Sequence, residues 1–270
     1  MSVVRERSGS GPLVVSMPHS GLQLAPGLAA RLTPAAARLP DSDWHIPELY
    51  DFLDAFDPTI IAAQYSRYVV DLNRDPGGQS LYPGQATTGL VPVELFDGGP
   101  LYREGEVPAA DEIEQRKQDY FQPYHEALGA ALDRAVKRHG YAVLWDAHSI
   151  ASTVPRLFDG ALPDLNLGTY SGASCDPLIE RAARAELALA DGYSSVCNGR
   201  FKGGWITRHY GQPQRQVHAL QMEIGQDAYM SPAPDFTFDP DRAARLRPVL
   251  KSIIAAALDA AADLYAGASA

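Results

Sequence analysis

One stretch of the chain constrains the fold more than any other. Residues Tyr141 to Ser149 form an apolar run that follows Gly140 and ends in the polar side chains Asp146, His148 and Ser149. The run is too short for a free helix, so the pattern predicts a buried strand with polar chemistry at its carboxyl end. In an open α/β sheet this edge is where ligands bind. His148 is therefore a candidate metal ligand or general base.

Several other segments have the composition and length of strands. The predicted strands cover residues Leu13–Met17, Thr59–Ala63, Tyr65–Leu72, Tyr141–Ser149, Tyr193–Asn198 and Val217–Ile224. Helical patterns long enough for crossover connections lie between them, which favours a mostly parallel sheet covered on both faces. The segments 73–105 and 150–174 are predicted to be long loops. Without a repeat or a linker, residues 1–270 are predicted to form a single α/β domain.

Polar side chains stand at or just past the ends of these predicted strands. They are His19, Arg74, His148, Asn198 and Glu223. Because the carboxyl ends of parallel strands meet at one edge of the sheet, we expect residues that are remote in sequence to surround one crevice.

The histidines at two strand ends suggest a metal centre. A catalytic zinc takes three nitrogen or oxygen ligands, commonly two histidines and a carboxylate, and keeps one open position. His19 and His148 supply the two imidazoles. The candidates for the carboxylate are Asp43, Asp41 and Glu48 of the His45/Glu48 pair. Asp43 also precedes a predicted helix, so it could instead act as an ordinary N-cap.

Two further carboxylates have candidate roles near His148. Glu223 could take a proton from metal-bound water, a role that needs hydrogen-bond reach but no contact with the metal. The ordinary alternative for Glu223 is a salt bridge at the end of a strand. Asp146 could support His148, because a ligating imidazole usually donates its other N–H to a carboxylate.

The predicted loops carry four cationic side chains that should rim the crevice. They are Arg74, Arg156, Lys202 and Arg208. Arginine holds carboxylates with two parallel hydrogen bonds, so this set favours a small anionic substrate. Solvation at the surface is the ordinary state of any one of them, and only their clustering argues for a binding role.

The overall charge and the cysteine count exclude several classes of protein. With 23 basic and 33 acidic residues, the formal charge of −10 argues against nucleic acid or an anionic membrane as a partner. No stretch approaches the roughly 18 apolar residues of a membrane helix. The two cysteines, Cys175 and Cys197, cannot build a thiolate cage, and a reducing cytoplasm is the simplest setting.

A series of short motifs in a fixed order carries a family resemblance. The motifs are Pro18–Gly21 (PHSG), Ser42–His45 (SDWH), Val70–Arg74 (VDLNR), Asp146–Ser149 (DAHS), Pro155–Phe158 (PRLF) with Asn166–Thr169 (NLGT), Gly199–Gly204 (GRFKGG) and Val217–Glu223 (VHALQME). From about Val14 to Met230, the chain resembles the N-formylglutamate amidohydrolase (deformylase) family. Each motif is short, and their number and order make the resemblance specific.

The resemblance implies a fold, a reaction and a set of site residues. The fold would be a three-layer α/β sandwich with a mostly parallel, mixed sheet, similar to zinc carboxypeptidases and phosphorylase/hydrolase-like proteins. The reaction would be hydrolysis of N-formyl-L-glutamate to formate and L-glutamate in histidine degradation, with zinc as the metal and cobalt or manganese as alternatives. The implied metal ligands are His19, Asp43 and His148, with Glu223 as general base and acid. A cationic group such as Arg74 or Arg208, or the metal itself, would stabilise the oxyanion. The implied substrate-binding residues are Asn73, Arg74, Arg156, Asn166, Thr169 and Lys202.

Other functions stay open at this point. A related pocket could accept another N-acyl amino acid, or act as a carboxypeptidase-like hydrolase, because a fold does not fix a substrate. A non-catalytic module that binds acyl amino acids is a third possibility, although such a module would not need Glu223. We expect a monomer or a small homo-oligomer.

Overall fold

The computed structural model describes residues 2–79, 84 and 87–266. Its strands are β1 (Val4–Arg7), β2 (Leu13–Met17), β3 (Thr59–Ala63), β4 (Ala142–Ile150), β5 (Leu165–Gly168), β6 (Ser195–Cys197), β7 (Val217–Gly225), β8 (Met230–Ser231) and β9 (Thr237–Phe238). Its α-helices are α1 (Leu28–Arg31), α2 (Ile46–Leu49), α3 (Ala110–Arg116), α4 (Gln122–His139), α5 (Pro177–Ala188), α6 (Trp205–Tyr210) and α7 (Pro240–Ala266).

A mixed sheet of seven strands forms the centre of the fold, in the order β1-β3-β2-β4-β7-β5-β6. Strands β3, β2, β4 and β7 run parallel to one another. Strand β1 pairs antiparallel with β3 at one edge, and β5 pairs antiparallel with β7. The predicted mostly parallel, mixed α/β sheet is therefore confirmed, and the carboxyl ends of its central strands share one edge.

Consecutive residues of the central strands pack on opposite faces of the sheet, as strand geometry requires. Trp145 packs on one face in a cluster that includes residues of α2, α5 and α7. Leu144 packs on the other face, with residues of α4 and α6. Both faces are covered by helices, which explains why β4 is buried along its whole length. The sheet is thus rigidly held where it presents its carboxyl edge.

Two predictions about the segments beside the sheet are wrong. Residues Tyr65–Leu72 do not form a strand; apart from an isolated bridge between Gln23 and Tyr65, the backbone turns. A strand would hold Arg67 and Asp71 about 13 Å apart, whereas the turn allows these two buried side chains to bond to each other. The predicted loop 150–174 contains β5, which is short but fully buried against β7.

The direction of β5 and β6 changes the position of a predicted site residue. Strand β6 is parallel to β5, and both run opposite to β7. The carboxyl end of β6 therefore lies away from the edge at which β4 and β7 end. Asn198, which follows β6, accepts hydrogen bonds from the backbone N–H groups of Thr169 and Ser171. Asn198 stabilises a turn there and does not join the other strand-end residues.

The predicted long helix over residues 111–139 contains a wider turn. Helices α3 and α4 are continuous through a π-helical segment at Lys117–Phe121, which ends two residues before Pro123. Proline has no N–H to donate and disrupts regular helical pairing, which accounts for the position of this irregularity.

Candidate metal and catalytic site

Three buried side chains meet at the carboxyl edge of the sheet. His19 follows β2, His148 lies in β4, and Asp43 lies in the segment before α2. One ligand atom from each of these residues lies within 4.8 Å of the others. Asp43 does not cap α2, because the N-cap position is His45 and no side chain caps it. Of the carboxylates left open by the sequence, the structure groups Asp43 with the two histidines.

Each histidine is oriented by a second carboxylate. The Nδ1 atoms of His148 and His19 lie 3.0 Å and 3.7 Å from Oδ2 of Asp43. On the far side of the rings, Nε2 of His148 lies 3.1 Å from Asp146, and Nε2 of His19 lies 2.7 Å from Asp71. Metal-bound imidazoles usually have such a partner on the nitrogen that does not bind the metal. The two Nδ1 atoms are thus the ones directed toward Asp43.

The donor set fits a divalent metal ion. Two imidazole nitrogens and one carboxylate oxygen are the ligands that catalytic zinc commonly uses. The Oδ1 atom of Asp43 is buried and accepts no hydrogen bond from the described residues. Its neighbour Arg67 forms an ion pair with it, but Nη1 lies at 3.7 Å, beyond hydrogen-bond distance. A buried carboxylate oxygen that accepts no hydrogen bond is costly, and a bound cation would remove that cost. The group could therefore bind a metal ion.

Asp71 and Arg67 are site residues that the sequence reasoning missed. Arg67 bonds to Asp71 at 2.6 Å, and Asp71 accepts a further hydrogen bond from the backbone N–H of Asn73. Burial disfavours the charged Asp71, but Arg67 and His19 outweigh it and hold the pKa of this carboxyl well below its usual range. Asp71 belongs to the motif Val70–Arg74, whereas Arg67 precedes it, and the strand-like composition of Tyr65–Leu72 conceals the pair.

The two histidines have opposite pKa shifts. Burial and the charge of Arg67 lower the pKa of His19 below its ordinary value, against the influence of Asp71. Burial also disfavours the charged form of His148, but Asp146 and Asp43 outweigh it and hold its pKa well above the ordinary value. The buried carboxylates around His148 favour a positive charge at this position. That charge can be a proton on His148 or a metal ion bound to it, but not both, because a metal ligand must be deprotonated.

Glu223 lies beside His148 on the neighbouring strand. The two residues are paired in the parallel register of β4 and β7, and both line the same cavity. Burial raises the pKa of Glu223 to about 8, partly offset by the charge of His148. Among the described residues, no lysine or arginine forms a salt bridge with it, so the ordinary ion-pair interpretation has no support. A buried carboxyl with a raised pKa is suited to proton transfer.

Asn73 connects the candidate metal ligands to helix α6. Its Oδ1 accepts from the backbone N–H of Ile206, and its Nδ2 lies 2.9 Å from Nε2 of His148. A Cβ atom at Gly204 would lie 2.3 Å from Nδ2 of Asn73, so only glycine allows this approach. Asn73 was predicted to bind substrate; it lines the cavity, but its described contacts are with the protein.

Three arginines line the cavity around this group. They are Arg67, Arg74 and Arg200. Arg74 was predicted from the sequence, and Thr88 holds its guanidinium through two hydrogen bonds of 3.0 Å. Arg67 and Arg200 were not predicted. The arginine that the sequence placed at the rim, Arg156, instead bonds to Glu94 and to the carbonyl of Leu95.

The remaining predicted site residues are not among the described residues that line the cavity. Arg208 donates to the carbonyl of Gly203, and its guanidinium lies 4.7 Å from the centroid of the Tyr170 ring. The side chain of Asn166 donates to the carbonyl of Glu223, and Thr169 donates to Glu180. The side chain of Lys202 is exposed. Their predicted roles stay predictions.

The fold and the site define a class of protein. A rigid α/β sheet presents a buried His/Asp/His group suited to a divalent metal, with a protonatable carboxylate on the adjacent strand. The profile of the N-formylglutamate amidohydrolase family matches residues 11–230. The chain belongs to this family, which confirms the resemblance carried by its motifs.

Named relatives and a solved structure agree with this assignment. An N-formylglutamate deformylase from Pseudomonas putida is 48% identical over 97% of this chain and 98% of its own length. One from Pseudomonas aeruginosa is 50% identical over 98% of this chain and 99% of its own length. The crystal structure of an N-formylglutamate amidohydrolase from Ralstonia eutropha JMP134 has a TM-score of 0.80 at 22% identity, covering 99% of this chain and all of the other. That last likeness supports the fold.

The structure also bears on membrane association. In the part of the chain that it describes, none of the helices has the length and apolar character that crossing a bilayer requires.

Proposed function

We propose that this chain hydrolyses the formamide bond of N-formyl-L-glutamate and releases formate and L-glutamate. The observation that carries the proposal is the buried His19, Asp43 and His148 group directly beside Glu223. The two deformylases that are about half identical over nearly the whole chain support the choice of substrate.

The metal proposed for this group is zinc, with cobalt and manganese as alternatives. His19, Asp43 and His148 would hold it, and Asp71 and Asp146 would orient the two imidazoles. A divalent ion in such a site lowers the pKa of water and polarises a carbonyl oxygen. Nitrogen and oxygen ligands in this combination are typical of zinc sites.

Glu223 is the proposed general base and general acid. It accepts a proton as a water oxygen bonds to the formyl carbon, and it returns that proton to the glutamate nitrogen as the C–N bond breaks. The buried position beside His148 suits both steps, because burial favours the protonated carboxyl and a nearby cation favours the carboxylate. A group in this balance can hold a proton between the two steps.

The arginines of the cavity are the proposed partners of the substrate's carboxylates. Arg74 is held by Thr88 and lies beside the candidate metal ligands, and Arg200 lines the same cavity. Arg67 also lines it, although two of its nitrogens bond to Asp71 and to the carbonyl of Asp41. Guanidinium groups bind carboxylates through paired, charge-assisted hydrogen bonds. The formyl group is small, so selectivity should come mainly from the glutamate end.

Several finer features remain part of the proposal. We place the reaction in histidine degradation and the protein in the cytoplasm, as the resemblance and the composition predict. Residues 1–270 are proposed to act as a single domain, as a monomer or small homo-oligomer. The predicted roles of Asn166, Thr169, Lys202 and Arg208 belong to the same set of proposals. Arg156 is proposed to contribute less to substrate binding than Arg74, because it bonds to Glu94 and to the carbonyl of Leu95.

The test is metal-dependent formate release. Protein stripped with a chelator and reloaded separately with zinc, cobalt or manganese is assayed for formate with N-formyl-L-glutamate, alongside N-acetyl-L-glutamate and N-formyl-L-leucine. We expect activity only after reloading and the highest kcat/KM for N-formyl-L-glutamate. Tight binding without hydrolysis under every metal would overturn the enzymatic proposal. Faster turnover of another N-acyl amino acid would overturn the proposed substrate.

A further inference from the structure

A second cavity lies directly against the candidate metal site. It has a volume of about 320 Å³, and its walls come from residues 40–41, 96–97, 150–155, 226–227, 232–233 and 236. This volume is within the range of small-molecule sites. Most of its surface is apolar, with Val154, Phe236 and several prolines among its walls. The proposed reaction leaves this cavity unused, because formyl is the smallest acyl group.

Two side chains separate the second cavity from the metal site. Phe96 and Ile150 are the described residues that line both cavities. Ile150 is the last residue of β4, two positions after His148, and it is buried. Phe96 is fixed by its backbone N–H, which donates to Asp41 at 3.1 Å, and by its ring, which lies 4.7 Å from the guanidinium carbon of Arg67. The two side chains form a wall at the candidate reaction centre.

The positions of the charges show which end of a substrate faces this wall. The arginines Arg67, Arg74 and Arg200 line the metal cavity, where the carboxylates of a glutamate would bind. The described lining of the second cavity contains no lysine or arginine and includes Asp41, Asp97 and Asp227. Carboxylates of the substrate would be repelled there. The acyl side of the scissile bond is therefore the part that can face the second cavity.

We propose that the second cavity is an acyl pocket closed by Phe96 and Ile150, and that these two side chains restrict the enzyme to the formyl group. Removing the wall would admit neutral, unbranched acyl groups of three or four carbons and would exclude anionic ones. The inference rests on the proposed function, because it assumes hydrolysis at the His19, Asp43 and His148 group. It adds a determinant of specificity for the acyl group, whereas the arginines act on the glutamate end of the substrate.

The experiment compares kcat/KM for N-formyl-, N-butyryl- and N-succinyl-L-glutamate in zinc-loaded wild type, F96A and I150A. Butyryl and succinyl have the same number of carbons and differ in the terminal carboxylate. We expect each variant to raise kcat/KM for the butyryl substrate by about tenfold or more over wild type, since one or a few methylenes in an apolar pocket change specificity by this order. The succinyl substrate should stay at least about tenfold poorer than the butyryl one.

Two further variants test whether a gain in activity comes from access to the second cavity or from a general loss of packing around the site. Leu157 lines the metal cavity but not the second cavity, so L157A is the matched apolar truncation and should give no gain with the butyryl substrate. Ala233 is an exposed residue on the wall of the second cavity, so A233F should refill it and remove the gain of F96A.

The inference is overturned if neither F96A nor I150A gains activity on the butyryl substrate, or if L157A gains as much. Equal gains for succinyl and butyryl would overturn the assigned charge preference. Wild-type formate release is measured in parallel. Its absence counts against the proposed function, whereas its presence without a gain in the variants counts against the acyl pocket alone.

Discussion

The candidate metal group and the cationic rim are built in different ways. His19 and His148 stand on or directly after central strands, and each ring is fixed by a buried carboxylate. The cationic residues belong to segments outside the sheet, and their positions depend on local partners such as Thr88 for Arg74 and Glu94 for Arg156. The candidate metal ligands on strands are positioned by the topology of the sheet, whereas the cationic residues in loops are positioned by individual side-chain contacts.

The largest effect should come from removing a strand-borne ligand. H148A deletes one of the three candidate ligands, and we expect metal binding to weaken by more than a hundredfold, with formate release falling in proportion. H139A is the matched control, because His139 is partly exposed and its Nε2–H donates to the carbonyl of Ser10, away from the candidate metal site. Competition with a chromogenic chelator gives the affinities. Equal metal affinity in H148A and wild type would contradict the ligand assignment.

The carboxylates behind the imidazoles should have the next largest effect. D71N removes the charge that faces Nε2 of His19, and the metal affinity should fall by about 10- to 100-fold. D133N, on the exposed face of α4, is the control and should leave the affinity unchanged. The same chelator competition measures both variants. If D71N binds metal as tightly as wild type, the orientation of His19 does not depend on Asp71.

The cationic rim can be tested by comparing two arginines. R74A should raise KM for N-formyl-L-glutamate by about tenfold or more, because a hydrogen bond between charged groups contributes about 1.5–3 kcal/mol. R156A should change KM by less than about threefold, since Arg156 is paired with Glu94 outside the described lining of the cavity. Initial-rate kinetics with both variants decide the matter. A larger effect of R156A than of R74A would contradict this ranking.

The smallest predicted effect is on stability and concerns Asp41, a buried carboxyl group beside the candidate metal site. Burial raises the pKa of Asp41 to about 6, although Arg67 and Tyr68 oppose this. The folded state therefore holds a proton on Asp41 between about pH 4 and 6 that the unfolded state has released, so this group's contribution to stability falls as the pH rises. The unfolding free energy of D41N minus that of wild type should increase by about 1 kcal/mol from pH 5 to pH 7.

Urea denaturation at several pH values measures this difference. Titration of Asp71, whose pKa is shifted in the opposite direction, is common to both proteins and cancels in the comparison. A difference that does not vary with pH, or that decreases, would show that Asp41 is not held in its protonated form by burial.

The positions of the candidate site residues on strands could be predicted from the sequence. Apolar runs that end in His19, His148 and Glu223 are long enough to identify strands, and parallel pairing then brings their ends together. Asp43 was grouped with the histidines through the family resemblance, while spacing alone left Asp41 and Glu48 open.

The sequence predicted the loop-borne part less well, for physical reasons. The segment Tyr65–Leu72 has the composition of a strand, but it forms a turn in which Arg67 and Asp71 bond to each other beside the site. Strand β5 is only four residues long, and its antiparallel direction reverses β6 and moves Asn198 to the other edge. Such features depend on partners that are remote in sequence, and local pattern does not reveal them.

The most direct test of the account is a measurement on E223Q. Zinc content and formate release from N-formyl-L-glutamate are measured on the same preparations of wild type, E223Q and E48Q. Glu48 is exposed and contacts His45 outside the cavity, so E48Q is the matched control for losing one carboxylate. We predict that all three proteins bind zinc equally and that kcat falls by about 10²- to 10⁴-fold in E223Q alone. Near-normal kcat in E223Q, or loss of zinc from it, would contradict the role assigned to Glu223.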